Sequence, residues 1–250
     1  MPNHSLNGKV ALVTGSARRI GATIISALHA HGMNVILHYW TSGEEAKKLC
    51  HDFNQIRPHS AMALRSDLND VESINTLVGK TYAEWNRLDV LVNNASRYYK
   101  TDIGKTTEYA WDDLMNSNLK APFFMAQAAA PLLAKNQGCI INVTDIHTER
   151  PLKDYAVYCI SKSALAMMTK VLAKELGPNV RVNAVAPGAI LWPEGDNALS
   201  NEMKKKIIDR TALSRTGEPT DIANAILYFV RDGGFVTGQI LSIDGGRSLS

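Results

Sequence analysis

Residues 10–21 read VALVTGSARRIG, and this stretch says most about the fold. Its first four residues, Val10–Val13, form a short apolar run, as expected of a strand that is buried on both faces. Gly15 permits a tight turn directly after the run, and Gly21 allows a following helix to pack closely on the sheet. A helix that begins here directs backbone N–H groups at the turn, where a phosphate group is favoured. The stretch therefore predicts a strand, a phosphate-binding turn and a helix.

The same order of strand and helix recurs along the chain. Further apolar runs rich in Val, Ile and Leu predict strands at residues 35–37, 90–92, 140–143, 180–185 and 240–243. Helices are predicted between them, at residues 20–31, 43–53, 71–85, 111–133, 155–176 and 221–230. Alternating strands and helices are typical of a parallel sheet with helices on both faces. We therefore predict an α/β fold, a single-domain doubly wound parallel sheet.

One segment interrupts this alternation. Residues 187–218, PGAILWPEGDNALSNEMKKKIIDRTALSRTGE, contain two prolines, Trp192 and a short lysine-rich piece of helical character. In open α/β sheets ligands bind beyond the carboxyl ends of the strands, so a long excursion after a strand is expected to form a substrate-binding loop or lid. No internal repeat or Pro/Ser-rich linker divides the chain, so residues 1–250 are predicted to form one domain.

Composition narrows the classes of function. The formal net charge of +3 is spread along the sequence, with Lys204–Lys206 as the one short run, so nucleic acid is not expected as a partner. The three cysteines have neither paired spacing nor a Cys-x-x-Cys, which fits reduced thiols in the cytoplasm. No segment approaches the ~20 apolar residues that a membrane-spanning helix needs. No ligand-spaced cluster of His, Cys or carboxylates indicates a metal site.

The residues after the second predicted strand indicate which nucleotide the turn would bind. A site that prefers NAD usually offers an acidic side chain to the ribose 2′-hydroxyl. Here residues 38–42, HYWTS, contain no acidic side chain, and NADPH is favoured. The side chains that would meet its 2′-phosphate are His38, Thr41, Ser42 and Arg18. The alternative is that Glu44 or Glu45, the first acidic residues after the strand, folds back to the ribose.

A tyrosine and a lysine stand four residues apart in one predicted helix. Tyr158 and Lys162 would share a helix face, and an adjacent ammonium group favours a phenolate and lowers its pKa, ordinarily near ~10. Asp145 follows the predicted strand at residues 140–143, so its carboxyl group would reach the same place from the sheet. That group can accept hydrogen bonds from ring N–H and amino groups or pass a proton through water. The alternatives are an exposed tyrosine with a solvated lysine, and an aspartate that caps a helix or forms a turn.

A set of motifs, in this order over nearly the whole chain, resembles the short-chain dehydrogenase/reductase family. The set consists of Thr14, Gly15, Arg19 and Gly21, then Asp67, Asn93, Asn94, Ala95, Asn118, Tyr158, Lys162, Pro187, Gly188, Asp244, Gly245 and Gly246. The resemblance implies a Rossmann-type sheet of about seven strands and a nicotinamide cofactor. It also implies a homotetramer.

The resemblance implies roles for single residues as well. Lys162 would reach the ribose of the nicotinamide, and Asn118 would hold a water molecule for a proton relay. Asp67 would contact adenine with Leu68 beside it, and Asn93 would steady the strand that flanks the cofactor. The cofactor-binding residues implied in this way are Gly15, Arg18, Arg19, Ile20, Gly21, His38, Tyr39, Thr41, Ser42, Asp67, Leu68, Asn93, Asn94, Ala95, Lys162, Pro187 and Gly188.

Two departures from the general family pattern narrow the resemblance. Arg19 stands where the family usually has a glycine, and Asp145 stands where it usually has a serine. Both are similar to the pteridine reductases, an NADPH-dependent branch that reduces biopterin- and folate-type rings and includes bacterial dihydromonapterin reductases. The substrate contacts that this branch implies are Arg19, Ser96, Tyr98, Asp145 and Tyr158. Thr41 departs from the branch, whose better-known members carry an arginine for the 2′-phosphate near that position.

The sequence therefore predicts an NADPH-dependent pteridine reductase. Tyr98 would stack on the flat pterin ring, and Asp145 would supply a proton for the step from a dihydropterin to a tetrahydropterin. The predicted catalytic residues are Asp145, Tyr158, Lys162 and Asn118. One alternative is a carbonyl reductase of 3-oxoacyl or sugar type, which an aspartate in place of serine disfavours. Another is a cofactor-binding regulator without turnover, which the complete catalytic set disfavours.

Overall fold

The computed structural model describes residues 5–195 and 198–250. Its strands are β1 Val10–Val13, β2 Asn34–Tyr39, β3 Ala61–Arg65, β4 Val90–Asn93, β5 Cys139–Val143, β6 Arg181–Pro187 and β7 Ile240–Ile243. Its helices are α1 Arg19–Ala30, α2 Gly43–Ile56, α3 Val71–Trp85, α4 Glu108–Met115, α5 Ala121–Ala134, α6 Ala156–Leu176, α7 Asn201–Asp209 and α8 Pro219–Leu227.

In this described part of the chain, seven strands form one parallel sheet in the order β3-β2-β1-β4-β5-β6-β7. Alternate residues of a strand pack on opposite layers of helices. Ala11 and Val13 of β1 pack with residues of α1, α2 and α8, whereas Val10 and Leu12 pack with residues of α3, α5 and α6. Both faces are covered, which explains the continuous apolar runs. The predicted doubly wound parallel sheet is confirmed.

The strand β3 is the one that the apolar runs did not predict. Its sequence is AMALR, and of these residues only Ala61 is buried. The strand lies at the edge of the sheet and pairs with β2 alone, from Val35 opposite Ala61 to Tyr39 opposite Arg65. An edge strand is half solvated, so it does not need the branched apolar residues that identify the central strands.

The single helix predicted over residues 111–133 is wrong. Helices α4 and α5 are joined there by a π-helical turn, Asn116–Lys120. Pro122 has no N–H to donate to the carbonyl group of Asn118, four residues earlier, which favours an interruption at this point. Single π-helical turns inside helices frequently lie at functional sites.

The prediction that no segment has the length and apolarity of a membrane-spanning helix is wrong for α6. This helix has 21 residues and is apolar enough by composition, but 61% of its most apolar 18-residue window is buried inside the protein. A core helix of a soluble protein has the same properties. The doubly wound fold around it is that of a soluble protein.

The 187–218 segment begins at the end of β6 and contains α7, in agreement with the predicted helical piece. Asp196 and Asn197 of this segment lie outside the described residues. The segment leaves the sheet beside β7, where Gly188 N–H donates to the carbonyl oxygen of Ile243 at 3.0 Å. Its first residues therefore start at the carboxyl edge of the sheet.

Candidate active site

The carboxyl ends of the strands meet at one edge of the sheet. Consecutive strands are neighbours on each side of β1 and β4, but the order reverses between these two strands. In open α/β sheets a ligand binds in the crevice at such a reversal. The turn after β1 and the segment after β4 therefore border the candidate site.

The turn after β1 depends on two glycines. Gly15 has φ +61, and a side chain there would lie 3.0 Å from Cα of Ala95, the residue after Asn94. A side chain on Gly21 would lie 2.6 Å from Nδ2 of Asn94. Close contact between the turn, helix α1 and the end of β4 therefore excludes larger residues at both positions. The turn lies at the start of α1, where the sequence predicts a phosphate-binding cradle.

Two arginines follow this cradle and face one carboxylate. Arg19 has φ +54, a left-handed conformation that costs a residue other than glycine about 1–2 kcal/mol. Its Nη1 lies 2.5 Å from Oε1 of Glu194, and its Nη2 donates to the carbonyl oxygen of Trp192 at 3.0 Å. Nη2 of Arg18 lies 3.7 Å from Oε2 of Glu194. The 187–218 segment thus places the carboxylate of Glu194 beside both arginines that were predicted to bind phosphate.

The predicted contact of His38 with a 2′-phosphate is wrong. Its side chain is 2% exposed beneath the cradle. Nδ1 accepts from the N–H of Gly15 at 3.0 Å, and Nε2 lies 3.1 Å from the carbonyl oxygen of Ser66. One neutral tautomer, with the proton on Nε2, satisfies both contacts. Burial lowers the pKa of His38 to about 4, so the ring supports the turn as a neutral group.

This histidine should make folding stability depend on pH. The pKa of His38 is lowered from 6.5 to about 4, so the unfolded chain binds more protons between these values. The free energy of unfolding should therefore fall as the pH falls through this range, by up to about 3 kcal/mol. Urea unfolding of the wild type and His38→Gln at pH 7 and pH 4.5 measures the difference.

The variant has no titrating ring at this position, so it should lose that part of the pH dependence whatever its stability at pH 7. His51→Gln is the matched control, because His51 is exposed on α2. It should keep the wild-type dependence. An unchanged dependence in His38→Gln would contradict the assignment.

The two asparagines after β4 have separate roles. Asn94 donates from Nδ2 to the carbonyl oxygens of Thr14 at 2.9 Å and Gly15 at 3.0 Å, and so ties the cradle to β4. Asn93 is buried and donates from Nδ2 to Oδ1 of Asn142 in β5 at 2.9 Å. Its side chain lies between two strands, so its inclusion among direct cofactor contacts is wrong. A role in steadying the strand fits the geometry.

Three of the four predicted catalytic residues, Asp145, Tyr158 and Lys162, lie together. Tyr158 Oη donates to Oδ2 of Asp145 at 2.6 Å. The other carboxylate oxygen of Asp145 accepts from the N–H of His147 at 2.9 Å, which fixes the orientation of the carboxylate. Lys162 Nζ donates to the carbonyl oxygen of Val143, at the end of β5, at 2.9 Å and lies 5.9 Å from the centre of the Tyr158 ring. Helix α6 and the end of β5 thus bring together a phenol, a carboxylate and an amine.

Burial controls protonation in this group. It raises the pKa of Tyr158 well above its usual value near 10, and the neighbouring Asp145 carboxylate raises it further. Burial lowers the pKa of Lys162 to about 8, and Asp145 opposes this shift. The predicted lowering of the Tyr158 pKa by Lys162 is therefore wrong in direction. Desolvation and the hydrogen-bonded carboxylate outweigh an amine that lies 5.9 Å from the centre of the ring, so Tyr158 holds a proton at neutral pH.

Tyr98 packs against two other tyrosines at this site. It stacks on Tyr155 with ring centres 4.6 Å apart and planes 18° apart, and it meets Tyr158 edge-on at 4.8 Å. One face of the Tyr98 ring is therefore covered. The predicted stacking on a flat ligand would have to use the opposite face. Ser96 is exposed two residues earlier.

Asn118 holds this segment in place. Its Oδ1 accepts from the N–H of Arg97 at 2.8 Å, and its Nδ2 donates to the carbonyl oxygen of Arg97 and to Oγ of Ser161, each at 3.0 Å. Its amide group therefore has protein partners, which gives the side chain a positioning role. It links the π-helical turn to α6 and to the residues between Ser96 and Tyr98. The water molecule predicted at Asn118 stays a prediction.

Arg247 is a site residue that the sequence did not reveal. It lies in a short 3-10 turn after β7, is half-buried, and interacts electrostatically with Asp145 and Tyr98. Asp244 fixes this turn by accepting from the N–H of Gly246 at 2.9 Å and of Ser248 at 2.7 Å. The Asp244-Gly245-Gly246 motif could be recognised in the sequence. No local pattern relates the following residue, Arg247, to the carboxylate of Asp145, which is 102 positions earlier.

The remaining predicted contacts lie around the same edge of the sheet. They are Ile20, Tyr39, Thr41, Ser42, Asp67, Leu68, Ala95, Pro187 and Gly188. Glu44 pairs with Lys47 at 3.1 Å, and Glu45 lies 3.9 Å from Nε of Arg18. The two acidic residues considered as ribose ligands therefore face cations.

Comparison with known proteins gives consistent matches over almost the full length. A family model described as Enoyl-(Acyl carrier protein) reductase matches residues 15–248. The chain is 33% identical over 282 residues to Pteridine reductase 1 of Leishmania tarentolae, and the match covers 96% of each chain. It is also 33% identical over 244 residues to the 3-oxoacyl-(acyl-carrier-protein) reductase FabG of Staphylococcus aureus, with 96% and 98% covered. Overall identity therefore does not distinguish these two substrate classes.

Solved structures give the same result for the backbone. A blue fluorescent protein from a metagenomic library, solved in complex with NADPH, is similar with a TM-score of 0.90 and 34% identity, covering 97% of this chain and 99% of that one. A mutant short-chain dehydrogenase/reductase from Serratia marcescens is similar with a TM-score of 0.91 and 32% identity, covering 98% and 100%. Both similarities extend over the sheet and the candidate site.

Proposed function

The chain belongs to the short-chain dehydrogenase/reductase family, and on this premise we propose that it is an NADPH-dependent pteridine reductase. Membership of the family makes it an NAD(P)-dependent oxidoreductase. Its proposed substrate is a dihydropterin, which becomes the tetrahydro form. One observation carries the proposal: Tyr158 donates to the Asp145 carboxylate at 2.6 Å, at a position where the family usually has serine. The similarity to Pteridine reductase 1 supports it.

The cradle after β1 fits the phosphates of NADPH. Gly15 has the left-handed conformation that brings its backbone close to a ligand, and Arg18 and Arg19 are both exposed beside it. Ser16 Oγ is buried in the cradle with no hydrogen-bond partner in residues 5–195 and 198–250. When bound, NADPH supplies the hydride. The similar blue fluorescent protein was solved with this cofactor.

We expect Glu194 to compete with the cofactor phosphates for these arginines. Glu194→Gln removes a carboxylate that lies 2.5 Å from Arg19 and 3.7 Å from Arg18, so NADPH should bind roughly two- to fivefold more tightly, the range for an exposed ion pair. Fluorescence titration with NADPH measures the change. Glu202→Gln is the control, because Glu202 lies in the same segment but pairs with Lys206. Weaker binding by the Glu194 variant would contradict the expectation.

The proposed proton donors are Asp145 and Tyr158. The carboxylate of Asp145 can accept hydrogen bonds from the ring N–H and amino groups of a pterin, which a serine hydroxyl does less well. In its protonated form the Asp145 carboxyl group would deliver a proton through water to the ring nitrogen of a dihydropterin and then take one back from solvent, and Tyr158 would deliver one to a fully oxidised pterin. Tyr158 holds the proton that it would donate at neutral pH, because its pKa is raised. The guanidinium of Arg247 adds a positive charge near the carboxylate.

Other residues orient the substrate and the donors in this proposal. Lys162, anchored on Val143, supports the ribose of the nicotinamide, and Asn118 positions the segment that carries Ser96 and Tyr98. Arg19, which is exposed beside the cradle, would bind both phosphate and the pterin carbonyl. The 187–218 segment would act as a lid of the single domain, through its contact with Arg19.

A second candidate function is reduction of a 3-oxoacyl thioester, because the chain is as similar to the Staphylococcus aureus enzyme as to Pteridine reductase 1. Oxidation of NADPH with dihydrobiopterin, dihydromonapterin, dihydrofolate and an acetoacetyl thioester, measured in parallel, separates the candidates. Turnover of a pterin and not of the thioester is expected. Turnover of the thioester alone would favour the second candidate, and no turnover of any substrate would favour a regulator that binds the cofactor.

We also propose a homotetramer in the cytoplasm. Two separate surfaces carry exposed apolar side chains: Ile160, Met167 and Val171 on α6, and Phe235 and Leu241 around the edge strand β7. Two self-complementary surfaces are what a tetramer with dihedral symmetry requires. Pairing at β7 would also cover the exposed edge of the sheet. Light scattering after size-exclusion chromatography measures the assembly, and a monomer would contradict it.

A further inference from the structure

The proposed NADPH site lacks one expected cation. Thr41 stands near the position at which the better-known pteridine reductases carry an arginine for the 2′-phosphate. The neighbouring edge strand ends in a cation, Arg65, which lies opposite Tyr39 in the register of β2 and β3. The two strand ends therefore bring Arg65 next to the residues 40–42 that follow β2.

Two contacts hold the Arg65 side chain at this place. Its Nε donates to the carbonyl oxygen of Trp40 at 3.1 Å, and its Cζ lies 4.3 Å from the centre of the Trp40 ring. A guanidinium that stacks on an indole ring and donates to its backbone is restricted in orientation before any ligand arrives. The Nη1 and Nη2 groups of Arg65 have no protein partner within the described part of the chain. They remain able to bind two oxygens of one phosphate.

The surroundings of Arg65 match the adenosine end of a nucleotide. A cavity of about 450 Å³ is lined by Trp40, Arg65 and Asp67, and Asp67 was predicted to contact adenine. Ser42 is the N-cap residue of the 14-residue helix α2 and makes no side-chain capping bond, so the helix N-terminus adds positive potential beside residues 40–42. The other acidic residues of this cavity are Asp70, which caps α3, and Glu72 in the first turn of that helix, and Lys80 adds a positive charge.

We propose that Arg65 supplies the cation missing at position 41 and binds the 2′-phosphate of NADPH. It is then a determinant of the preference for NADPH over NADH, held in position by Trp40. The inference rests on the proposed cofactor, but it does not depend on which substrate is reduced.

Binding to Arg65→Met tests this role without any substrate. The titrated ligands are NADPH, NADH, 2′,5′-ADP and 5′-AMP, which form two pairs that differ at the 2′-phosphate. The dissociation constants of NADPH and 2′,5′-ADP should rise roughly 10- to 100-fold, the effect of losing hydrogen bonds to a charged group. Those of NADH and 5′-AMP should stay unchanged. Retained NADH binding also shows that the variant is folded.

Lys47→Met is the matched control, because it removes a nearby exposed positive charge that pairs with Glu44. It should leave all four dissociation constants close to those of the wild type. Three results would overturn the inference. Arg65→Met could weaken binding of both members of a pair equally, it could weaken neither, or Lys47→Met could weaken binding as much as Arg65→Met does. A wild type that binds NADH as tightly as NADPH would refute the proposed cofactor itself. A wild type that prefers NADPH, with an unaffected Arg65→Met, would refute the role of Arg65 alone.

Discussion

Replacing Asp145 with serine should lower kcat/KM for a dihydropterin roughly 10²- to 10⁴-fold, the range for loss of a positioned proton donor. The substitution removes the carboxylate that accepts from Tyr158 at 2.6 Å and from the N–H of His147 at 2.9 Å. It introduces the residue that the family usually has at this position, so reduction of a carbonyl group with Tyr158 as the acid should be less affected. Steady-state rates with dihydrobiopterin and an acetoacetyl thioester measure both.

The ratio of the two rates is the decisive quantity for Asp145. Asp113→Ser is a suitable control, because Asp113 also accepts a hydrogen bond from a tyrosine, Tyr99, at 2.8 Å. That variant loses a tyrosine–carboxylate pair elsewhere and should leave the ratio unchanged. An equal loss on both substrates in Asp145→Ser would remove the special role of this carboxylate in pterin reduction.

Replacing Lys162 with methionine should lower kcat/KM roughly 10²- to 10³-fold, the range for loss of one preorganised donor at a reacting centre. It should also change the pH profile. Burial lowers the pKa of Lys162 from 10.5 to about 8, so the wild-type amine loses its charge as the pH rises through about 8. Wild-type kcat/KM should therefore decline above this pH. Rates measured from pH 6 to pH 10 show whether the decline is absent in Lys162→Met.

Lys170→Met is the control for this experiment, because Lys170 lies on the same helix and is exposed. It should keep both the rate and the alkaline decline. The same alkaline decline in wild type and Lys162→Met would assign that titration to another group and contradict the role given to the lysine.

The central strands could be predicted from sequence because burial on both faces leaves a continuous apolar run, as in β1 and β5. The edge strand β3 has no such requirement, and its AMALR sequence has no β-branched residue. The break between α4 and α5 was also missed, because the polar stretch Asn116–Lys120 lies between two apolar helical segments that were joined into one, although Pro122 interrupts the hydrogen bonds. Strand ends and helix breaks depend on neighbours that a local pattern does not contain.

The candidate site also has features that could be predicted from the sequence and features that could not. Tyr158 and Lys162 could be paired from their spacing alone, because residues four apart share a helix face. The direction of the Tyr158 pKa shift could not be predicted, since it depends on burial and on the distance to Asp145. Contacts such as those of Glu194 with Arg19 join residues far apart in sequence, and no short motif reports them.

The left-handed backbone of Arg19 has a consequence for how such proteins diversify. Glycine adopts this conformation without penalty, so exchange between glycine and arginine leaves the path of the chain unchanged. A single codon change can therefore add or remove a cation at the mouth of the pocket, and the gain of charge comes with a less stable turn. A substitution at position 19 can therefore change the substrate range in one step, provided that the free energy of unfolding is large enough to tolerate the less stable turn.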